Sequence, residues 1–236
     1  MPSSASPPVP HIVAAFDFDG TLTDGGSVFP FLVSLRGRAR VLLATMRQAP
    51  QLLHAALAGG TTADVVKERL FTRLLGGLAV TEVDTTAAAF AEHHLDRHLR
   101  ELTAERLRWH QDQGHHVVII SASPECYVGA AGKRLGVDGT VATRLAVGPD
   151  DRLTGGYDGK NCRGEEKLNR LNSHLESLGL RGPDDRQVEL WAYGNSRGDL
   201  RLLQAADHGV DAGKLGRFGR LRAFPRLAEV SQDPSA

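Results

Sequence analysis

The run IVAAFDF, from Ile12 to Phe18, has no polar face until its last residues, and this narrows the folds open to the chain. A strand with one wet face alternates apolar and polar residues. A strand that is apolar on both sides must be covered on both, as happens inside a parallel sheet flanked by helices. HHVVIISAS (His115 to Ser123) and VELWAYGNS (Val188 to Ser196) repeat the pattern. Each run closes in small or polar residues and gives way to helical spacing, the rhythm of βα units. The class expected is therefore α/β. VATRLAV and RLTGGYDG, on either side of the turn GPDD, predict a hairpin or short strand pair.

Between the first two runs the texture changes. Residues 27–104 are rich in Ala, Leu and Arg at helical spacing, broken at RQAPQ, AGGTT and LGGLAVT, and carry no convincing strand. That is too long for a βα loop and reads as an inserted α-helical cap of three or four helices. Residues 11–26 and 105–236 would form a Rossmann-like parallel core. Residues 1–10, Pro/Ser-rich and without a basic or apolar stretch, are expected to be a disordered leader and not a signal peptide. The tail is expected to be loose and to fray after Leu227.

Composition excludes several classes. With 236 residues, 41% hydrophobic and 24% charged, the chain can bury a sizeable core. Lys plus Arg equals Asp plus Glu at 28 each, so no electrostatic case exists for nucleic acid as a partner. No run approaches the roughly 20 apolar residues of a membrane span. The two cysteines, Cys126 and Cys162, suit a reducing compartment, and the expected location is cytoplasmic.

The polar strand ends are where chemistry would gather, because ligands of open parallel sheets bind outside the carboxyl ends of the strands. Asp17 and Asp19 close the first run and Ser121 the second. Asn195 closes the third, with Asp199 four residues on, and Lys167 adds a cation near a helix start. The stretch AAFDFDGTLTD also holds Asp24, so negative charge crowds the end of a buried strand, which is costly without a compensating cation. A hard divalent ion such as Mg²⁺, bound through oxygen, would offset it.

DFDGT resembles the DxDxT first motif of the haloacid dehalogenase superfamily of phosphohydrolases. The hydroxyl in VVIISAS, Lys167, and GNSRGD look like its second, third and fourth motifs, in order, over about Ile12 to Asp211. The helical insertion sits where the phosphoserine-phosphatase-like branch carries its cap. The resemblance implies roles. Asp17 would attack phosphorus and become an aspartyl-phosphate. Asp19, positioned by Thr21, would protonate the leaving oxygen and then activate water. Thr21, Ser121, Ala122 and Lys167 would form the substrate-binding set, with Ser121 and Lys167 on the phosphoryl oxygens. Mg²⁺ would take Asp17, Asp19 through its carbonyl, and Asn195 or Asp199. Asn195 stands where the family usually has Asp, which weakens the charge offered to a metal.

Blander readings stand beside these. Two acids after a strand also fit a solvated turn, Ser121 a strand-end cap, and Lys167 a surface charge. His94 and His98, at i and i+4, have zinc-binding spacing but nothing nearby completes a site. Trp191 and Tyr193 are expected to pack in the sheet, and Cys126 to be a structural thiol. The main expectation is a Mg²⁺-dependent phosphomonoesterase. A phosphoserine-phosphatase-like enzyme and a catalytically weakened binding or regulatory protein are the alternatives. The stretch after Thr23 offers no acid beyond Asp24 for a substrate ammonium and turns apolar at Val28, Phe29, Phe31 and Leu32. FDFDGTLT…FPFL, SASPE and NCRGEEK resemble a branch containing phosphatidylglycerophosphate phosphatases, implying a glycerol-linked or lipid phosphate. RARVLLATMRQAPQLLHAAL would then either lie against a membrane surface or pack within the cap.

Overall fold

Strand β1 (His11–Phe16) lies at the centre of the sheet because its last four residues are all apolar, leaving neither face suited to water. Val13, Ala14, Ala15 and Phe16 have no exposed surface. It pairs in parallel with β2 (His116–Pro124) on one side, Val13 opposite His116 and Phe16 opposite Ile119. On the other side it pairs with β6 (Val188–Gly194), Val13 opposite Leu190 and Phe16 opposite Tyr193. Strands β3 (Gly139–Thr143) and β7 (His208–Asp211) complete a five-stranded parallel sheet in the order β3-β2-β1-β6-β7. The computed structural model describes residues 11–48, 61–180, 188–214 and 221–231. The leader at 1–10 lies outside the described residues, as does the stretch 49–60 within the insertion.

Side-chain parity divides this sheet between two cores. Ala14, Phe16, Val117, Ile119, Trp191 and Tyr193 enter one; Val13, Ala15, Val118, Ile120, Leu190 and Ala192 enter the other. Helices cover both. On the first face lie α5 (Glu101–Asp112) and α6 (Glu125–Leu135), through Leu107, Tyr127, Val128 and Ala131. On the second lie α7 (Glu165–Ser177) and α8 (Leu200–Ala205), through Leu171, Leu175, Leu202 and Leu203. Trp191 and Tyr193 pack in the sheet as expected, Tyr193 stacked on Phe16 with ring centroids 4.3 Å apart.

The insertion between β1 and β2 carries α1 (Val28–Arg36), α2 (Arg38–Arg47), α3 (Thr61–Leu75) and α4 (Val80–His98). Its outgoing and returning connections run side by side: Asp24 N–H donates to the His98 carbonyl (2.8 Å) and Arg100 N–H to that of Leu22 (2.9 Å). Phe31, Leu32, Phe71 and Phe90 join the first core, so this insertion shares a hydrophobic interior with the sheet. Val28, half-buried, packs against its edge, and Phe29 stands about half exposed.

Two expectations change. The expected strand pair forms about GPDD with a shorter first arm: β4 (Leu145–Val147) pairs antiparallel with β5 (Leu153–Tyr157), while Val141–Thr143 of VATRLAV pair with β2 instead. The hairpin lies against α3, where Gly155, at φ +85°, approaches so closely that an added Cβ would sit 2.3 Å from the Thr72 Cα. The tail does not fray directly after Leu227. Leu227 is buried in a 3₁₀ turn, and the Arg106 guanidinium donates to the Val230 and Ser231 carbonyls at 2.6 and 2.9 Å. Among the described residues no helix is long and apolar enough to cross a membrane.

Candidate active site

Asp17 extends the β1 ladder by one bond, its N–H donating to the Tyr193 carbonyl at 2.9 Å, and so stands at the carboxyl edge of the central strand. The chain must turn at once. Gly20 takes φ +80° and donates to the Thr23 carbonyl at 2.7 Å. The turn is pinned from outside by Arg100, whose Nη1 donates to the carbonyls of Gly20, Thr21 and Ala212 at 2.6, 3.0 and 2.5 Å. Gly20 is needed for space as well as for backbone freedom: an added Cβ would lie 1.8 Å from Nδ2 of Asn195. The turn after β1 and the end of β6 are thus packed together.

Lys167, near the start of α7, is almost wholly buried. Its Nζ donates to Oδ1 of Asp17 at 2.6 Å and to Oδ1 of Asp199 at 2.5 Å. Burial alone would lower the Lys167 pKa, but the two carboxylates outweigh it and hold the ammonium firmly protonated. Burial is also the largest influence on Asp17 and raises its pKa. Asp199 pushes the same way, and Lys167 only partly opposes them. Burial would raise Asp199 too, yet the attraction of Lys167 brings it below its ordinary value. One ammonium therefore serves two buried carboxylates, and the deficit falls on Asp17.

Asp19 is held differently from the sequence expectation. Thr21 does not position it: Thr21 is wholly buried and its hydroxyl has no hydrogen-bond partner. Asp19 Oδ1 instead accepts the Ser27 N–H at 2.6 Å, and Oδ2 accepts a short bond from the Ser123 hydroxyl. Ser27, just before α1, and Ser123, late in β2, are tied in turn to each other (Oγ to Oγ 3.4 Å). Ser27 Oγ also lies 2.7 Å from the Tyr127 hydroxyl. The Ser27 N–H and the Ser123 hydroxyl thus fix one oxygen of Asp19 each, from the insertion and the core, and the linked hydroxyls of Ser27, Ser123 and Tyr127 hold the two serines in place. Ser121 is buried beside it, its Oγ accepting the Ser123 N–H at 3.0 Å.

Ala122 meets an unexpected partner. Lys67, on α3, reaches from the insertion and donates to the Ala122 carbonyl at 2.6 Å and to Oδ1 of Asn161 at 3.3 Å. Burial lowers its pKa to about 8, while Asp19 and Asp64 oppose the fall. Sequence reasoning missed Lys67, Ser27, Ser123 and Arg100, because each is placed by contacts with a distant part of the chain.

Asp199, expected as a metal ligand, has both oxygens engaged. Lys167 takes Oδ1, and Oδ2 accepts Asn195 N–H (3.2 Å), Ser196 N–H (3.0 Å) and the Ser196 hydroxyl (2.8 Å). It acts as the anchor of Lys167 and of the loop after β6. Among the described residues, no group of three or more His, Cys, Asp or Glu side chains could hold a metal. A cation would draw on a mixed set of hard oxygens: the Asp17 carboxylate, the Asp19 backbone carbonyl and the Asn195 amide. Such a set suits Mg²⁺, and the uncompensated charge on Asp17 gives it a role there. The His94 and His98 rings lie 4.7 Å apart, tilted by 36°, and His94 is buried and stacked on Phe90. Cys126 is a packed thiol, its pKa pushed up to about 12 by burial.

Residues 14–204 match haloacid dehalogenase-like hydrolases. The chain belongs to this family. Among curated relatives, the protein CicA of Caulobacter vibrioides is 35% identical over 83% of this chain and 83% of its own. A solved structure of a protein of unknown function from Bordetella pertussis Tohama I matches with a TM-score of 0.73. It is 24% identical, covering 86% of this chain and 90% of that one. A structure of phosphoserine phosphatase, described as a phospho-aspartyl intermediate analogue, matches with a TM-score of 0.57 at 19% identity, covering 86% and 87% of the two chains. The α/β sheet with helices inserted after its first strand is the fold of this family, as the motif order leads one to expect.

Proposed function

We propose that this haloacid dehalogenase-like hydrolase is a phosphomonoesterase that works through a phosphorylated Asp17. The observation that carries the proposal is Lys167 held between Asp17 and Asp199, at 2.6 and 2.5 Å, beside an Asp19 whose two oxygens are fixed by Ser27 and Ser123. A carboxylate oxygen of Asp17 attacks phosphorus and forms a P–O bond while the bond to the ester oxygen breaks. Asp19 gives that departing oxygen its proton. Asp19 then removes a proton from water as the water attacks phosphorus, the Asp17–phosphorus bond breaks, and phosphate leaves. Ser121 and Lys167 steady the phosphoryl oxygens. When bound at Asp17, the Asp19 carbonyl and Asn195, Mg²⁺ supplies positive charge that offsets the phosphoryl group and keeps Asp17 ionised.

The substrate class follows from what the insertion contributes. Its polar contribution at Ala122 is a cation, Lys67. Asp24 is engaged by Lys214 at 2.7 Å and Arg100 at 3.6 Å, and Asp64 by Asn161 at 2.7 Å. A zwitterionic amino acid such as phosphoserine would leave its ammonium poorly matched, which is expensive in a closed site. A neutral or anionic leaving group, such as a glycerol-linked or lipid phosphate, fits better. Phe31 and Leu32 do not argue for an apolar substrate, because both are core residues; Phe31 packs on Tyr127 with ring centroids 4.5 Å apart.

Asn195 supports a second reading, a catalytically weakened binding protein, since an amide offers a metal no charge. One experiment separates the two: hydrolysis of p-nitrophenyl phosphate with and without Mg²⁺, followed by acid quench and mass spectrometry of the phosphorylated peptide. Mg²⁺-dependent turnover with phosphate on Asp17 is expected. Phosphate on Ser121, or no turnover at any Mg²⁺ concentration, overturns the proposal.

A further inference from the structure

Helix α2 turns its apolar side outward. Val41 and Ala44 are buried, while Leu42, Leu43 and Met46 are 56%, 47% and 60% exposed. At 100° per residue, Leu42, Met46, Ala39 and Leu43 form one continuous stripe. Arg38 borders it on one side and Arg47 and Arg40 on the other, all exposed. The sequence around it is one-sided in charge: residues 25–63 hold Arg36, Arg38, Arg40 and Arg47 and no acid.

A second observation meets the first at the end of that helix. A cavity of about 480 Å³ opens between α2 and α3, lined by Arg47, Gln48, Arg69, Thr72 and Arg73. Three guanidinium groups border it and no carboxylate does. Among the described residues none of the three is paired with an acid, whereas other arginines of the fold, such as Arg134 and Arg170, have acidic partners at 2.5 and 2.8 Å. The acids of α3, Asp64 and Glu68, are used elsewhere, at Asn161 and the Tyr157 N–H. Planar, forked donors gathered without a counter-charge match phosphate oxygens.

We propose that this edge of the insertion docks on an anionic phospholipid surface. Leu42, Leu43 and Met46 enter the interface, the bordering arginines meet the headgroup layer, and a lipid phosphate sits among Arg47, Arg69 and Arg73. Interfacial helices bind through this combination of buried apolar area and attraction to anionic lipid. Nucleic acid fits the arginines but not the stripe, since single strands are held by stacking on aromatic rings and α2 has none. The inference stands apart from the proposed hydrolysis, because it is read by binding alone.

The test is co-sedimentation of the full chain with two kinds of vesicle: pure phosphatidylcholine, and two parts phosphatidylcholine to one part phosphatidylglycerol. Binding to the second kind and not the first is expected. Arg69→Gln and Arg73→Gln should each weaken it about fivefold. Leu42→Glu with Met46→Glu should abolish it while circular dichroism, thermal melting and p-nitrophenyl phosphate hydrolysis stay as in the parent. Inorganic phosphate separates the two sources of the same chemistry. Phosphate that competes with vesicles, in a protein that binds them, supports a headgroup site; a protein that binds phosphate but does not sediment with the anionic vesicles overturns the proposal. Equal binding to both vesicle types also overturns it. So do binding that survives Leu42→Glu with Met46→Glu, and tighter binding to a single-stranded oligonucleotide than to anionic vesicles.

Discussion

Replacing the proposed nucleophile should make the metal-free protein more stable at alkaline pH, not less. Burial first, and Asp199 second, raise the Asp17 pKa from 3.8 to about 7 against the pull of Lys167. A group whose pKa is raised on folding contributes stability that is present below the unfolded pKa. That stability is lost as pH climbs from about 4 through about 7. Between pH 5 and pH 8 the ionising carboxyl traverses about two pH units of that window, worth about 1.4 kcal/mol each, or about 2–3 kcal/mol. Asp17→Asn keeps an oxygen for the Lys167 ammonium and removes the ionisation. Urea unfolding in the presence of a chelator, at pH 5 and pH 8, measures both proteins. The stability of the variant relative to the parent should rise by about 2–3 kcal/mol across that interval. Other titrating groups cancel in the difference, among them His110, whose pKa burial pushes down to about 3 and which costs both proteins stability as pH falls. A difference that stays flat or shrinks would refute the reasoning, because Lys167 would then hold Asp17 ionised despite its burial.

Ser123→Ala should lower kcat toward alkyl phosphates by at least about tenfold, within the range of general acid catalysis, and much less toward p-nitrophenyl phosphate, whose leaving group needs no proton. Equal losses on both would mean that Ser123 is only structural. If Lys67 meets the substrate, kcat/KM should fall as pH rises through about 8, where the ammonium loses its proton; Lys67→Arg should flatten that limb and Lys67→Met remove it. Asn195→Asp should tighten Mg²⁺ binding, seen as a lower Mg²⁺ concentration for half-maximal rate. Gly20→Ala should weaken Mg²⁺ binding, because the new methyl displaces the Asn195 side chain. It should also cost stability, about 1 kcal/mol or more from the positive φ.

The sheet was legible because a buried parallel strand must be apolar on both faces. Few other structures ask that of IVAAF or HVVII. Asp17, Lys167 and Asp199 were legible because charged groups at strand ends and helix starts follow the topology of a parallel sheet. The rest turned on contacts between distant segments. Thr21 looked like the neighbour that would hold Asp19, yet the turn buries its hydroxyl, and Ser123, far along the chain, takes that place. Ser123 left a trace in SASPE, where small hydroxyls stand after the strand, but nothing local says which acid they serve. Lys67 left a fainter one: only five of the 28 basic residues are lysine, and Lys167 is another. Phe31 and Leu32 read as a substrate lining because their pattern is apolar, and apolar residues beside a site serve the core as readily as a ligand.

The pairing of β1 bears on how the chain is made. Val13 lies opposite His116 on one side and Leu190 on the other, so the strand at the centre of the sheet is synthesised before either of its partners and is paired on both sides only once β6 is made. At about 5–20 residues per second, β1 waits roughly 5–20 s for its first partner and longer for its second. Through that interval HIVAAF is a bare apolar strand with two open edges, while the helices of the insertion, made of local contacts, form around it. Chaperones that bind short extended apolar segments would find their longest-lived target on this nascent chain there. A stalled chain ending between β2 and β6 would expose one edge of a half-built sheet to its neighbours on the same polysome.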